Sequence, residues 1–171
     1  HNEKVAQKLK VEAKFIAAKI SDTPNQVVDI AIALHACDTA TDDAIYWAVK
    51  NNAQIIMAAP CCMHELQTQI KEAPEPWALL TKNGLVKERL VDLMTDSLRA
   101  QILKLLGYRV DIVEFIGGEH TARNILIRAV KTNQSSSDID KDRYQQMLSQ
   151  WQIKPYLAKL LAAELKASAG I

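Results

Sequence analysis

The side chains that could act as nucleophiles, bases or metal ligands are concentrated in two short segments. These segments, residues 34–42 and 60–65, contain all three cysteines and two of the four histidines of the chain: Cys37, Cys61, Cys62, His35 and His64. This clustering exceeds what packing requires. A group transfer needs a nucleophile held in line with the reacting atom and a nearby group that orients or deprotonates it. We therefore predict three catalytic residues: His35, Asp38 and His64.

Each of these side chains also has an ordinary structural interpretation. His35 fits a hydrogen-bonded residue at a strand end, the cysteines fit small apolar core residues, and Asp42 fits a helix cap better than a catalyst. Zinc binding is a sharper alternative, because thiolates and imidazoles are zinc ligands. Adjacent cysteines such as Cys61 and Cys62 rarely chelate one ion easily, and the sequence has no Cys-x-x-Cys pair. We therefore predict no metal.

A third polar motif spans residues 117–124. Gly117 and Gly118 favour a tight turn between two predicted strands. That turn should reach the same edge of the sheet as the two segments above, which predicts substrate contacts from Glu119, His120 and Asn124. The alternative is that the glycines only make the turn and Asn124 anchors it.

The two cysteine-containing segments each follow an apolar, β-branched run. Residues 27–34 and 54–59 predict parallel strands buried on both faces of a sheet. Residues 39–49 predict the helix between them, beginning with a capping box formed by Thr39 and Asp42. A strand-helix-strand unit of this size forms a parallel crossover, and ligands bind at the carboxyl ends of such strands. The two segments should therefore meet there.

The longest predicted helix follows this unit. Six apolar residues recur at helical spacing up to Gly107, a good C-cap: Val86, Leu90, Leu93, Leu98, Ile102 and Leu105. Near the beginning of the chain, residues 11–20 predict a helix end followed by a short strand.

The last third of the chain predicts strands and then helices. Residues 108–116 and 125–130 predict an antiparallel pair. Two helices follow, at 141–151 and 155–167, with Pro155 in the first turn of the last one. The whole pattern predicts an open α/β sheet.

Composition and charge exclude several classes of protein. The net charge of +1 provides no global attraction to nucleic acid or to anionic membranes. The apolar runs are shorter than the roughly 20 residues that span a bilayer, and no signal-peptide pattern begins the sequence. An odd number of cysteines, two of them adjacent, does not form a secreted disulfide framework. We expect a cytoplasmic protein without a membrane partner. The first residue is not Met, so we expect either that His1 is a tag remnant or that the chain is an excised piece of a longer protein.

Three segments carry a family resemblance: ALHACDTATDDAI at 33–45, APCCMHEL at 59–66 and EHTARNILIRA at 119–129. They resemble signature segments of a family of S-adenosylmethionine-dependent methyltransferases. The family includes bacterial methyltransferases and the domain in the eukaryotic glutathione S-transferase C-terminal domain-containing protein. The likeness covers nearly the whole chain. A more distant likeness is to transfer-RNA 2'-O-methyltransferases with a similar Pro-Cys-Cys-x-His segment.

The resemblance implies a class I methyltransferase fold. This is a Rossmann-like sheet with helices on both faces, in which the last strand inserts antiparallel beside its predecessor. It also implies S-adenosylmethionine as cofactor, with RNA as the first-choice methyl acceptor and a small molecule as the other. The expected cofactor-binding residues are Leu34, His35, Ala36, Cys37 and Asp42. The expected substrate-binding residues are Pro60, Cys61, Cys62, Glu119, His120 and Asn124.

The sequence departs from the family's pattern in its glycines. Family members carry an Asp-x-Gly-x-Gly loop and a ribose-binding acid ahead of this region. The glycines of this chain are Gly84, Gly107, Gly117, Gly118 and Gly170. We therefore expect residues 1–171 to be the C-terminal part of one methyltransferase domain, with an exposed sheet edge that favours self-association.

Two other functions fit the same layered sheet. One is a non-catalytic or RNA-binding module that retains the methyltransferase fold. The other is a nucleotide-dependent oxidoreductase, which would need a glycine fingerprint of dinucleotide spacing.

Overall fold

The computed structural model of the chain is an α/β structure with one mixed sheet. It describes residues 2–34, 36–114, 124–132, 134 and 136–171. Within these residues the sheet has the strand order β1-β2-β4-β3, with β1 Ile30–Leu34, β2 Ile55–Ala59, β3 Tyr108–Glu114 and β4 Ile125–Lys131. The helices are α1 Asn2–Leu9, α2 Thr39–Lys50, α3 Glu65–Gln69, α4 Ala78–Thr81, α5 Gly84–Leu105, α6 Asp138–Trp151, α7 Tyr156–Leu160 and α8 Ala162–Ala169.

The predicted strand-helix-strand unit is confirmed. Strands β1 and β2 are parallel neighbours, with Ile30 opposite Ile55 and Leu34 opposite Ala59. Helix α2 connects them and buries Ile45 and Ala48. Because both strands end at the same level, the segments that follow them start side by side.

The predicted antiparallel pair is also confirmed, and β4 has a second partner. Strand β4 pairs antiparallel with β3 on one side and with β2 on the other. Its buried residues Ile127 and Ala129 lie opposite Ala58 and Ile56 of β2. Strand β4 therefore lies between β2 and β3 and runs against both.

Helices α2 and α5 cover the same face of the sheet, since Asp42 of α2 and Arg99 of α5 are bonded to each other. Helix α5 agrees with its predicted length, and Gly107, just beyond its end, adopts a positive φ of 87°. The predicted stripe is wrong at Val86 and Leu93, which are exposed. The buried apolar residues of α5 are Val91, Met94, Leu98, Ile102, Leu103 and Leu105.

The opposite face of β1 is exposed, so the prediction that this strand is buried on both faces is wrong. Ile30, Ile32 and Leu34 are 52%, 63% and 58% exposed. The physical reason is that β1 is the edge strand and that no described helix packs on this side. The predicted helices are thus present on one face only in the described part of the chain.

Three local predictions differ from the structure. Residues 11–19 contain no strand, so the predicted short strand there is wrong, and the free edge of β1 is left without a described partner. Pro155 precedes the first turn of α7 as its N-cap residue. The predicted last helix is divided at Leu161, which ends α7 and precedes α8.

Among the described helices, α5 is the longest, at 22 residues. Its sequence carries charged residues along its length. Within the described residues, no helix is long and apolar enough to cross a membrane.

The two faces of the sheet should respond differently to the same substitution. We expect Ile32→Thr to lower the free energy of unfolding by less than about 1 kcal/mol, because this side chain is already in water. Ile56→Thr should cost about 2–4 kcal/mol, because it removes apolar contacts and buries a hydroxyl group. Urea unfolding of the 171-residue chain measures both. Equal losses would contradict the described exposure of β1.

Candidate active site

The segments that follow β1 and β2 are joined by a backbone hydrogen bond. The Asp38 N–H donates to the carbonyl oxygen of Cys62 over 2.9 Å. The Thr41 hydroxyl, in the first turn of α2, donates a hydrogen bond back to the carbonyl oxygen of Ala36. This bond closes the turn that leads into α2. The prediction that the two segments meet is confirmed for their described residues. We call them the first loop (36–38) and the second loop (60–64).

The Asp38 side chain holds the second loop in place. Its Oδ1 accepts hydrogen bonds from the backbone N–H groups of His64 and Glu65, at 2.9 and 3.0 Å. These N–H groups begin the short helix α3 and have no partner inside it. Asp38 reaches them from an uncommon backbone conformation, with φ 53° and ψ −125°. Such a conformation costs about 1–3 kcal/mol and occurs preferentially at functional sites.

Arg99 of α5 holds the first loop in place from the buried side of the loop. Its Nη2 donates to the carbonyl oxygen of Asp38 at 2.9 Å. Its Nε and Nη2 also donate to the two carboxylate oxygens of Asp42, at 2.8 and 2.9 Å. Nη1 contacts Asp96 at 3.3 Å, and all three charged side chains are almost completely buried. One guanidinium group thus bridges α2, α5 and the first loop.

The predicted capping box at the start of α2 is wrong. Asp38 is the N-cap residue, and its side chain makes no cap hydrogen bond because it serves α3. Thr39 is already helical, and the Asp42 carboxylate faces Arg99. Asp42 was also predicted to bind the cofactor. In the structure both of its carboxylate oxygens accept hydrogen bonds from the buried Arg99, and its contact with the cofactor stays a prediction.

Burial sets the protonation of this ion cluster. It raises the pKa of Asp96 to about 6, against the opposing charge of Arg99. It also raises the pKa of Asp42, again against Arg99. At Arg99, burial disfavours the charged form and lowers the pKa. The hydrogen bonds that Arg99 donates to Asp42 outweigh this effect and hold its pKa above the usual value. Burial therefore opposes the charged forms of both carboxyl groups, and Arg99 counteracts it at each of them.

The three cysteines converge where the two loops meet. Cys37 Sγ lies 2.9 Å from Cys61 Sγ, and Cys61 Sγ lies 3.6 Å from Cys62 Sγ. Cys37 is exposed and the other two are partly buried. His64 lies in the same loop with an exposed side chain, and it contributes its backbone N–H to Asp38.

A cavity opens beside the second loop, between β4 and α5. Pro60, Met63 and Ile125 line its apolar side, and Glu88, Arg89 and Asp96 are among its polar residues. Asn124, immediately before Ile125, is buried. Two of the predicted substrate-binding residues, Pro60 and Asn124, are therefore at or next to this cavity.

The remaining predicted residues divide into two groups. Leu34 is exposed at the end of β1, and Ala36 is half-buried. His35, Glu119 and His120 lie outside the described residues. Of the predicted set, the structure brings together Cys37, Asp38, Cys61, Cys62 and the backbone of His64.

The sequence-based prediction missed Arg99 and Asp96. These two residues are three positions apart on α5. They are buried on the same helix as Val91, Leu98 and Ile102. The available signal was a pair of opposite charges at i and i+3 that falls within the apolar stripe instead of on the exposed face.

With this geometry in view, we compared the chain with known proteins. Residues 1–69 match the family model of a methyltransferase domain. The predicted family resemblance is confirmed for this segment. The methyltransferase match lies in the N-terminal part of this chain, so the third resembling segment, at 119–129, is outside it. The likeness to the glutathione S-transferase C-terminal domain-containing protein stays a prediction. No curated protein and no solved structure matches the chain.

The raised pKa of Asp96 predicts a specific pH dependence of stability. In the fold this carboxyl binds its proton more tightly than in the unfolded chain, where the ordinary value is 3.8. Its contribution to stability is therefore complete below pH 3.8 and is lost as the pH rises through about 6. Asp96→Asn removes the titration, so the variant should gain up to about 3 kcal/mol relative to the wild type between about pH 4 and pH 7.

Urea unfolding across this pH range measures the difference between Asp96→Asn and the wild type. Asp142→Asn, on the exposed side of α6, is the matched control and should give a flat difference. A flat difference for Asp96→Asn as well would contradict the raised pKa.

Proposed function

We propose that this protein is an S-adenosylmethionine-dependent methyltransferase whose reaction takes place at the two loops. The observation that carries the proposal is the position of the family match. Residues 1–69 contain β1, β2, the first loop and the second loop, which Asp38 ties together. The two loops, which carry Asp38 and the three cysteines, thus lie within the segment that resembles a methyltransferase domain.

The sheet supports the same proposal. Strand β4 runs antiparallel between β2 and β3, while β1 and β2 are parallel. The methyltransferase variant of the Rossmann-like sheet has its last strand inserted in this way. The helices and the loops at the carboxyl ends of β1 and β2 then occupy the positions where an open α/β sheet binds its ligand.

The described residues fit one wall of a cofactor site. Leu34 offers exposed apolar surface at the end of β1, and Asp38 offers a carboxylate that uses Oδ1 for the second loop. S-adenosylmethionine, when bound, would supply a sulfonium methyl group, which passes to the acceptor nucleophile with S-adenosylhomocysteine as the leaving group. A fixed carboxylate favours that positive charge. The matched residues 1–69 contain no glycine, so we propose that a glycine-rich loop elsewhere in the natural protein supplies the opposite wall.

The cavity beside Pro60 is the proposed acceptor site. It adjoins the second loop and therefore lies next to the proposed cofactor wall. Glu88, Asp92 and Asp96 give its lining more negative than positive charge, with Arg89 as the opposing residue. Phosphate backbones prefer basic surfaces, so this lining favours a small neutral or basic acceptor over RNA.

Calorimetric titration tests the proposal. S-adenosylmethionine and S-adenosylhomocysteine are titrated into the 171-residue chain and into a version of the protein extended through a glycine-rich loop. We expect the extended protein to bind both compounds and the 171-residue chain to bind them more weakly. Absence of binding by both proteins would contradict the proposal.

Substitution of Asp38 tests the role of its charge. Only S-adenosylmethionine carries the sulfonium charge, so Asp38→Asn should weaken its binding by about tenfold and leave that of S-adenosylhomocysteine nearly unchanged. Asp111→Asn, an exposed carboxylate on β3, is the matched control. Equal weakening of both compounds would show that Asp38 acts only on the loop structure.

A further inference from the structure

The three cysteines form a potential metal-binding group in the described part of the chain. Their Sγ atoms all lie within 4.8 Å of one another. They come from two loops that are far apart in the sequence, since Cys37 follows β1 and the other two follow β2. All the thiol groups of the chain are therefore in one place.

The distances between the sulfur atoms are close to those of a metal thiolate centre. Ligands about 2.3 Å from a tetrahedral zinc ion are about 3.8 Å apart. Cys61 and Cys62 already meet this condition at 3.6 Å. Cys37 and Cys61, at 2.9 Å, need to separate by less than about 1 Å. The adjacent cysteines, which argued against chelation in the sequence, direct their sulfur atoms to one point.

The protein holds these ligands before any ion arrives. The N–H of Asp38, the residue after Cys37, is bonded to the carbonyl of Cys62, and the Asp38 carboxylate is bonded to the N–H of His64. Arg99 fixes the Asp38 carbonyl from the buried side. A selective metal site requires ligands that supporting hydrogen bonds hold in place.

Charge and access also suit a divalent ion. Three thiolates and one zinc ion carry a net charge of −1, and α2, a helix of twelve residues, begins two residues after Cys37. The positive end of the helix dipole stabilises that charge. Cys37 is exposed and gives the ion a path from solvent. Three ligands from the described residues leave the fourth coordination position to water, a substrate group or a ligand outside that part of the chain.

We propose that Cys37, Cys61 and Cys62 bind a zinc ion through their thiolate sulfur atoms. Binding replaces the contacts between the sulfur atoms by three Zn–S bonds and releases the thiol protons to solvent. The site does not depend on the methyltransferase proposal, because it is argued from the positions of the three sulfur atoms alone.

Metal analysis of the purified 171-residue chain tests this site. The reduced chain is incubated with zinc chloride, passed through a desalting column, and assayed for zinc by mass spectrometry. We expect about one zinc ion per chain, and at least about tenfold weaker binding in Cys37→Ser, Cys61→Ser and Cys62→Ser. Met63→Leu, which alters the same loop without removing a thiol, should retain the zinc.

A measurement on the unmodified chain covers the case in which the serine variants fail to fold. Zinc should protect all three cysteines from alkylation, and cobalt in place of zinc should give thiolate-to-cobalt charge-transfer absorption. Fully reduced thiols that bind no zinc and are not protected would overturn the proposal. A Cys37–Cys61 disulfide in the protein isolated from cells would also overturn it, because it would assign the group to thiol oxidation.

Discussion

The arrangement of the site depends on one buried guanidinium group. Arg99 is bonded to both oxygens of Asp42, to Asp96 and to the carbonyl of Asp38, so a single side chain connects α2, α5 and the first loop. Taking these charges out of water costs several kcal/mol per ion, which only multiple, well-directed bonds offset. Such a network is a weak source of net stability, but it permits few alternative arrangements of the groups that it connects. The strained backbone of Asp38 is held in this way.

Asp38 in turn holds the second loop and the start of α3 at the carboxyl end of the parallel strands. Its carboxylate accepts the two N–H groups that begin α3, and its own N–H reaches the carbonyl of Cys62. The two loops are therefore joined by direct hydrogen bonds. The same contacts place three sulfur atoms together, and a cavity with apolar and acidic lining residues lies beside Pro60. A methyl-transfer site and a metal site both need groups that are fixed before their ligands bind, and this network fixes them.

The sequence was sufficient to predict the strands and loops at this end of the sheet. It was not sufficient to predict the side-chain contacts that hold the loops. Apolar β-branched runs identified β1 and β2, and the rule that ligands bind at the carboxyl ends of parallel strands brought their loops together. The partners of the Asp38 carboxylate could not be predicted, because they are backbone groups 26 and 27 residues later in the chain. Arg99 was missed because an arginine on a helix is normally exposed. The exposure of β1 was missed because an apolar run indicates burial without showing which neighbours provide it.

The central claim is that Arg99 holds the two loops together, and Arg99→Met tests it most directly. Removing one partner of a buried ion cluster costs about 3–5 kcal/mol, because Asp42 and Asp96 lose their counter-charge. We expect this loss in urea unfolding, together with faster hydrogen exchange at the His64 and Glu65 amides. Arg109→Met, on the exposed side of β3, should change neither quantity. If both variants retain wild-type stability and wild-type exchange at these amides, Arg99 does not hold the loops and the account is contradicted.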